Sequence, residues 1–270
     1  MNRALAAIAA FALGAMASPV AAQINTPSPA IDGEQGSILV YSRTVGWRHD
    51  SIDAAWSAIA DIAHEQGWSV TFTEDARWLE ADRIAAFDTV VFALSSGNSL
   101  TGEQQASFRA FVENGGGFVG LHSAGDASLD WDWYQSELIG PRFIGHPLNP
   151  GERTGTLRIE DTDHPATQGL PETWYRTDEW YSFDASARGK FHVLATLDNS
   201  SYVRGSWVDG SAISTAEDHP IVWMRCVGEG RSFYNAMGHT ASSYSEEGMR
   251  SLITGGIAWS MGEGDCPADD

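Results

Sequence analysis

The sequence predicts an α/β domain built on a mostly parallel sheet, and three observations carry that prediction. Short apolar runs such as "SILVYSR" (37–43) and "DTVVFALSS" (88–96) have the length and near-continuous hydrophobicity of strands covered on both faces. Between such runs, apolar residues recur at the 3.6-residue period of a helix. From Ser37 to Asp126 the two patterns alternate as β-α-β-α-β-α-β, the order of a parallel sheet with right-handed crossovers.

Each element has its own signal. After "SILVYSR" comes the loop "TVGWRHD" and then a helix, with Ile52, Ala55, Trp56, Ile59, Ile62 and Ala63 on one face. Asp50 or Ser51 is its expected N-cap, and Gly67 closes it. "WSVTFTE" is the second strand and "DTVVFALSS" the third. Thr101 and Gln104 have capping-box spacing, with Phe108, Phe111 and Val112 facing inward before Gly115 ends that helix. "GGFVGLHS" is the fourth strand. Beyond Asp126 the helices stop: "GTLRIED", "YRTDEWYSF", "FHVLATL", "IVWMRCVG" and "GRSFYNAM" read as strands separated by turns, extending the sheet with antiparallel or mixed pairing. A last helix is expected after Ser245, with Met249, Leu252, Ile253 and Ile257 as its stripe.

Residues 1–22 stand apart. Arg3, an apolar run and the small residues Val20-Ala21-Ala22 form the pattern of a cleavable signal peptide, too short to span a bilayer. Export to the periplasm or beyond is the expectation, and no membrane association once the leader is removed. Residues 23–36 read as a disordered arm, 37–262 as one domain and 263–270 as a tail. A formal net charge of −20 repels phosphate backbones and anionic lipid, which argues against nucleic-acid or membrane partners and favours a neutral small molecule. Cys226 and Cys266 are the two cysteines; whether they pair is open at this level. Neither has a nucleophile-like context, and Lys190 is the single lysine, so thiol and Schiff-base chemistry are both disfavoured.

Open α/β sheets bind ligands at the carboxyl ends of their strands. Four segments bring polar side chains there: His49 and Asp50 after the first strand; Ser95, Ser96 and Asn98 after the third; His122, Ser123 and Asp126 after the fourth; and His239 after "SFYNAMG". His122 sits at a strand-to-turn elbow, framed by Gly120 and Ala124, where other α/β enzymes present Ser or Cys. Blander readings exist for each: His49 beside a helix cap, His122 as a core residue, His239 as a strand terminus. His146 precedes a proline and is expected to be extended. His164 and His219 lie in acidic turns and read as structural, and His64 and His192 carry no signal. Asp178 and Glu179 are adjacent on a presumed strand, so one enters a site and the other decorates the surface. Trp47, Trp131, Trp133 and Trp180 lie near the same edge, and an exposed indole there is a stacking platform for a sugar ring.

With "GWRHDSI", "ENGGGFVGLHSAGD", "RFIGHP", "DTDHPATQGLPETWYRTDEWYSF" and "GEGRSFYNAMGHT" in this order, the chain resembles the ThuA-like (trehalose-utilisation) family from about Ile38 to Met261. The resemblance implies the flavodoxin-like, class I glutamine amidotransferase-like fold, a three-layer sandwich. It also implies sugar metabolism, at the level of disaccharides and their 3-keto-glycosides; secreted relatives are often described as glycosyl hydrolases. The matching site residues are His49, Asp50, His122, His146, Glu179 and His239. Glutamine hydrolysis is excluded, since the elbow holds His122 and neither cysteine lies near it. The expected catalytic set is His49, His122, His239 and Glu179, with Trp47, Asp50, Ser95, Asp126 and His146 binding a small saccharide. A base such as His122 or Glu179 would remove the proton beside a C3 ketone. His49, His122 and His239 are also the candidates for a zinc-like divalent ion, although no compact metal motif is present. Two alternatives stay open: a two-carboxylate glycosidase using Asp126 and Glu179, and a non-catalytic sugar-binding protein.

Overall fold

A computed structural model describes residues 36–203 and 217–267. The expected leader, residues 23–35 of the arm and the last three residues of the tail lie outside it. Eleven strands and four α-helices are seen among the described residues: β1 Ser37–Tyr41, α1 Ile52–Gln66, β2 Ser69–Thr73, the single turn α2 Ala81–Ile84, β3 Thr89–Ala93, α3 Gly102–Glu113, β4 Gly117–Leu121, β5 Phe143–Gly145, β6 Arg153–Ile159, β7 Thr173–Asp178, β8 Ser182–Phe183, β9 His192–Leu197, β10 Pro220–Val227, β11 Gly230–Asn235 and α4 Glu247–Ser260. Nine strands form one sheet in the order β2-β1-β3-β4-β11-β10-β9-β6-β7, and β5 pairs with β8 separately. The first five are mutually parallel, and β10, β9, β6 and β7 continue antiparallel.

Helices cover both faces because the strand side chains alternate. Phe118 on β4 meets Phe108 of α3, whereas Phe233, in register with Val119, faces α4. A Cβ at Gly256 of α4 would stand only 2.6 Å from the Phe233 ring, so glycine sets the helix–sheet distance. Thr101 and Gln104 form the expected capping box of α3. No described helix is long and apolar enough to cross a membrane.

Three local expectations are corrected. Ser245 does not cap α4: it lies in a preceding 3₁₀ turn and donates its hydroxyl to the Ser242 carbonyl. Ser51 is the residue before α1, but its side chain makes no capping bond and reaches the Gly238 carbonyl instead. β11 realises the expected mixed pairing, parallel to β4 and antiparallel to β10. "YRTDEWYSF" is not one strand: β7 stops at Asp178, and the chain turns through Glu179–Tyr181 before β8. The open cysteine question resolves as a Cys226–Cys266 disulfide, tying the chain beyond α4 to the end of β10.

Candidate active site

The elbow after β4 is built as its small residues require. His122 adopts φ 51°, the left-handed region a side-chain-bearing residue occupies only when its surroundings hold it there. A Cβ at Gly120 would lie 2.9 Å from the Tyr234 ring and 3.3 Å from the Ala124 Cβ, so both frame positions must be small. Tyr234 and Tyr134 donate their hydroxyls to the carbonyls of His122 and Ala124, both at 2.8 Å, locking the turn from below. The tight turn of such an elbow would push its side chain outward, but the His122 imidazole is fully buried.

His49 arrives on the loop after β1. Ser96 supports that loop, its carbonyl accepting from Val45 N–H at 2.8 Å and its hydroxyl donating to the Trp47 carbonyl at 2.6 Å. His239 arrives after β11, and Glu179 on the turn that follows β7. One ligand atom from each of His49, His122, Glu179 and His239 lies within 4.8 Å of all the others. Glu179 Oε2 is 3.4 Å from His122 Nε2 and 3.2 Å from His239 Nδ1, while Oε1 is 3.1 Å from His146 Nδ1. His49 Nδ1, His122 Nε2 and His239 Nδ1 are buried, and none is aligned in a hydrogen bond.

The outer contacts fix the tautomers. His122 Nδ1 lies 2.9 Å from the Ala236 carbonyl, which can only accept, so Nδ1 carries a proton and Nε2 faces Glu179 Oε2 inside the cluster. His146 Nδ1 similarly faces the Pro147 carbonyl at 3.0 Å, leaving the lone pair on Nε2. Burial, together with the neighbouring His122 and His239, pushes the His49 pKa down to about 3 and keeps the ring neutral. Burial works to raise the Glu179 pKa, but close contact with His122 and His239 outweighs it and holds the carboxyl below its usual range. For His239, burial is outweighed by Glu179, and its pKa is raised. The set is thus three nitrogen donors and a carboxylate in a buried pocket, a combination suited to a zinc-like divalent ion.

The family profile for ThuA, trehalose utilisation, matches residues 37–260. The chain belongs to the ThuA family. Among solved structures, a ThuA-like protein from Bacteroides uniformis is similar at 21% identity and a TM-score of 0.70, covering 87% of this chain and 94% of its own. A ThuA-like protein from Parabacteroides merdae is similar at 19% identity and a TM-score of 0.62, with coverage of 86% and 93%. At these identities the likeness concerns the fold. A search of curated proteins finds no match.

Within this ThuA fold the other expected site residues are placed unevenly. His146 joins the cluster through Glu179. Trp47 is 73% exposed, whereas Trp131, Trp133 and Trp180 pack into or against the core. Ser95 does not offer its hydroxyl to a ligand: it is fully buried and donates to the Tyr41 carbonyl at 2.8 Å, a strut between strand ends. Asp50 is exposed and lies outside the four-residue group. Asp126 is also outside that group, half-buried, and burial raises its pKa. Asp178 is no surface decoration; it is fully buried. Sequence reasoning also missed Tyr181, a buried ring whose centroid lies 4.2 Å from that of His122 and 4.1 Å from that of Phe143. Its place in the turn beside Glu179 was the available signal.

Proposed function

We propose that this ThuA protein cleaves glycosides or disaccharides carrying a ketone at C3, by proton transfer at a divalent ion held by His49, His122, His239 and Glu179. One observation carries the reading: three buried imidazole nitrogens and one carboxylate converge so that their ligand atoms all lie within 4.8 Å of one another. Glu179 is a charged partner for His122 and His239, but His49 Nδ1 is buried without a hydrogen bond, at a cost of about 1–3 kcal/mol that a shared ligand would offset. Membership of the trehalose-utilisation family supports the sugar class, and the open face of Trp47 suits a sugar ring. The leader pattern and the Cys226–Cys266 bond support export to an oxidising compartment.

A bound ion would supply Lewis acidity toward the C3 carbonyl oxygen and the enediolate charge that develops there. The remaining work falls to the chain. Glu179, held ionised, is too weak a base for a carbon acid and serves to charge and orient its neighbours. His146 is the better proton acceptor: Nδ1–H is fixed by Pro147 and Glu179, the ring is partly exposed, and Nε2 keeps its lone pair. In this scheme Nε2 takes the proton from C2, and the C–H electron pair forms the enediolate. Its collapse restores the C3 carbonyl, makes a C1–C2 double bond and breaks the C1–O bond. The leaving oxygen takes the proton back from His146. Water then adds its hydroxyl to C1 and its hydrogen to C2, completing hydrolysis.

The test follows monosaccharide release from a 3-keto-disaccharide and from an ordinary disaccharide, with and without chelator, using protein purified without a His-tag. Chelator-sensitive turnover of the keto sugar alone is expected. Turnover of both sugars would instead favour the two-carboxylate glycosidase, and saturable binding without turnover the sugar-binding protein.

A further inference from the structure

Asp178 makes an unusual number of contacts for one buried carboxylate. Oδ1 accepts from the backbone N–H of Glu179 at 2.9 Å and of His239 at 3.0 Å. Oδ2 accepts from the backbone N–H of Gly238 at 2.9 Å and from Arg176 Nη2 at 2.9 Å, with the Ser243 hydroxyl at 3.4 Å. Arg176 is buried as well, its Nη1 within 3.5 Å of the Met237 and Met249 sulfurs and its Nη2 bonded to Ser243 at 2.9 Å. Two successive amides, Gly238 and His239, turn toward one carboxylate only because Gly238 adopts φ 119°. A Cβ at Gly238 would also press on the Tyr244 hydroxyl.

We propose that Asp178, paired with Arg176, is the positioning residue of the site: it pins the Glu179 turn to the Gly238–His239 turn, so that a carboxylate and an imidazole from distant strands meet. Neither Asp178 oxygen faces the cluster, since its contacts are backbone amides, a guanidinium and a hydroxyl. Its charge is satisfied from the protein side, and it acts through where Glu179 and His239 begin. This inference rests on the proposed ion site for its consequence but not for its geometry.

Asp178→Asn is the discriminating variant, because an amide cannot accept at both ends and its NH₂ would confront N–H donors. Two measurements keep the possibilities apart. In metal-free protein, hydrogen exchange should show the Glu179, Gly238 and His239 amides losing protection in Asp178→Asn, with the β4 amides unchanged. By equilibrium dialysis, Zn²⁺ affinity should fall about ten- to a hundredfold. Ile38→Ala, a core truncation at the opposite end of β1, should lower Tm without moving either reading. Unchanged protection in Asp178→Asn overturns the positioning role. So does protection lost with full Zn²⁺ affinity, or an equal affinity loss in Ile38→Ala. If the wild type binds no Zn²⁺, the ion reading fails, and the exchange result alone decides whether Asp178 pins the two turns.

Discussion

The parallel and antiparallel halves of the sheet contribute to the site in different ways. The parallel half supplies His49, His122 and His239 directly from the carboxyl ends of β1, β4 and β11, where such sheets bind ligands. The antiparallel half supplies Glu179 from beyond β7, its outermost strand. Four strand spacings separate β7 from β11 in the sheet order, about 19 Å in a flat sheet. Yet Asp178 at the end of β7 bonds the amides just past β11. The antiparallel half must therefore curl back over the site. A parallel sheet offers imidazoles by default of topology, while the carboxylate has to be delivered and held.

That division predicts different phenotypes for the two halves. His122→Ala deletes a donor from the rigid half and should reduce Zn²⁺ affinity and keto-sugar turnover by about a hundredfold or more. Glu179→Gln keeps the three imidazoles, so it should retain measurable Zn²⁺ binding while losing most turnover. Dialysis and single-turnover kinetics on both variants check this. Identical profiles would break the distinction between an ion-holding half and a charge-supplying half.

The disulfide tests whether stability and site can be separated. Cys226 pairs with Arg231 at the end of β10 remote from the imidazoles, and the bridge closes a 40-residue separation. Loop-closure entropy for that span amounts to about 4 kcal/mol, roughly 10 °C in Tm for a domain of this size. Replacing both cysteines with serine should lower Tm by that order in a calorimetric scan, with Zn²⁺ affinity at 25 °C unchanged. A parallel loss of affinity would show that the bridge reaches the site.

The same contrast explains what could be read from the sequence. Strands β1, β3 and β4 are nearly all apolar because both faces are covered, and the loops that follow them fall at the sheet's binding edge by topology alone. His49 and His122 were legible for that reason; His239 follows β11, which reaches the same edge because it pairs parallel with β4. Asp178 was not legible. Period-two reasoning sends neighbours on a strand to opposite faces, but β7 ends at Asp178, so both acids turn inward: one carboxylate to the amides, the other to the imidazoles. Ser95 misled for a related reason. A hydroxyl at a strand end serves a neighbouring carbonyl as readily as a ligand, and only coordinates distinguish the two. The Cys226–Cys266 pair needed a distance that spacing cannot supply.

A further probe lies behind the site, where His164 packs against Trp259 and Phe233. Burial, set against the partial help of Asp161, holds its pKa down at about 4, compared with about 6.5 in the unfolded chain. The unfolded state therefore takes up the proton first. This contribution is intact above pH 6.5, is lost as pH falls through the window to about 4, and changes no further below it. Its full size is about 3 kcal/mol at most. Urea unfolding at pH 7, 5.5 and 4 should show a shallower decline in His164→Phe than in the wild type. Equal slopes would mean that the ring is solvated when folded.

Trp47 marks the smallest structural effect and the sharpest separation of roles. Its side chain is 73% exposed, and the contact that anchors its loop is made by its backbone carbonyl, which accepts from Ser96. Trp47→Ala should therefore shift stability by no more than about 0.5 kcal/mol and leave Zn²⁺ affinity untouched. If the indole is the platform for the sugar face, saccharide affinity should weaken about three- to tenfold, the scale of one aromatic contact. Titration calorimetry reads both affinities on one sample when Zn²⁺ is titrated first and then an ordinary disaccharide, which the proposed reaction leaves uncleaved. Unchanged sugar affinity would remove Trp47 from the binding surface and shift attention to Tyr181, whose ring packs on His122, and to Phe143, whose ring packs on Tyr181 and His146.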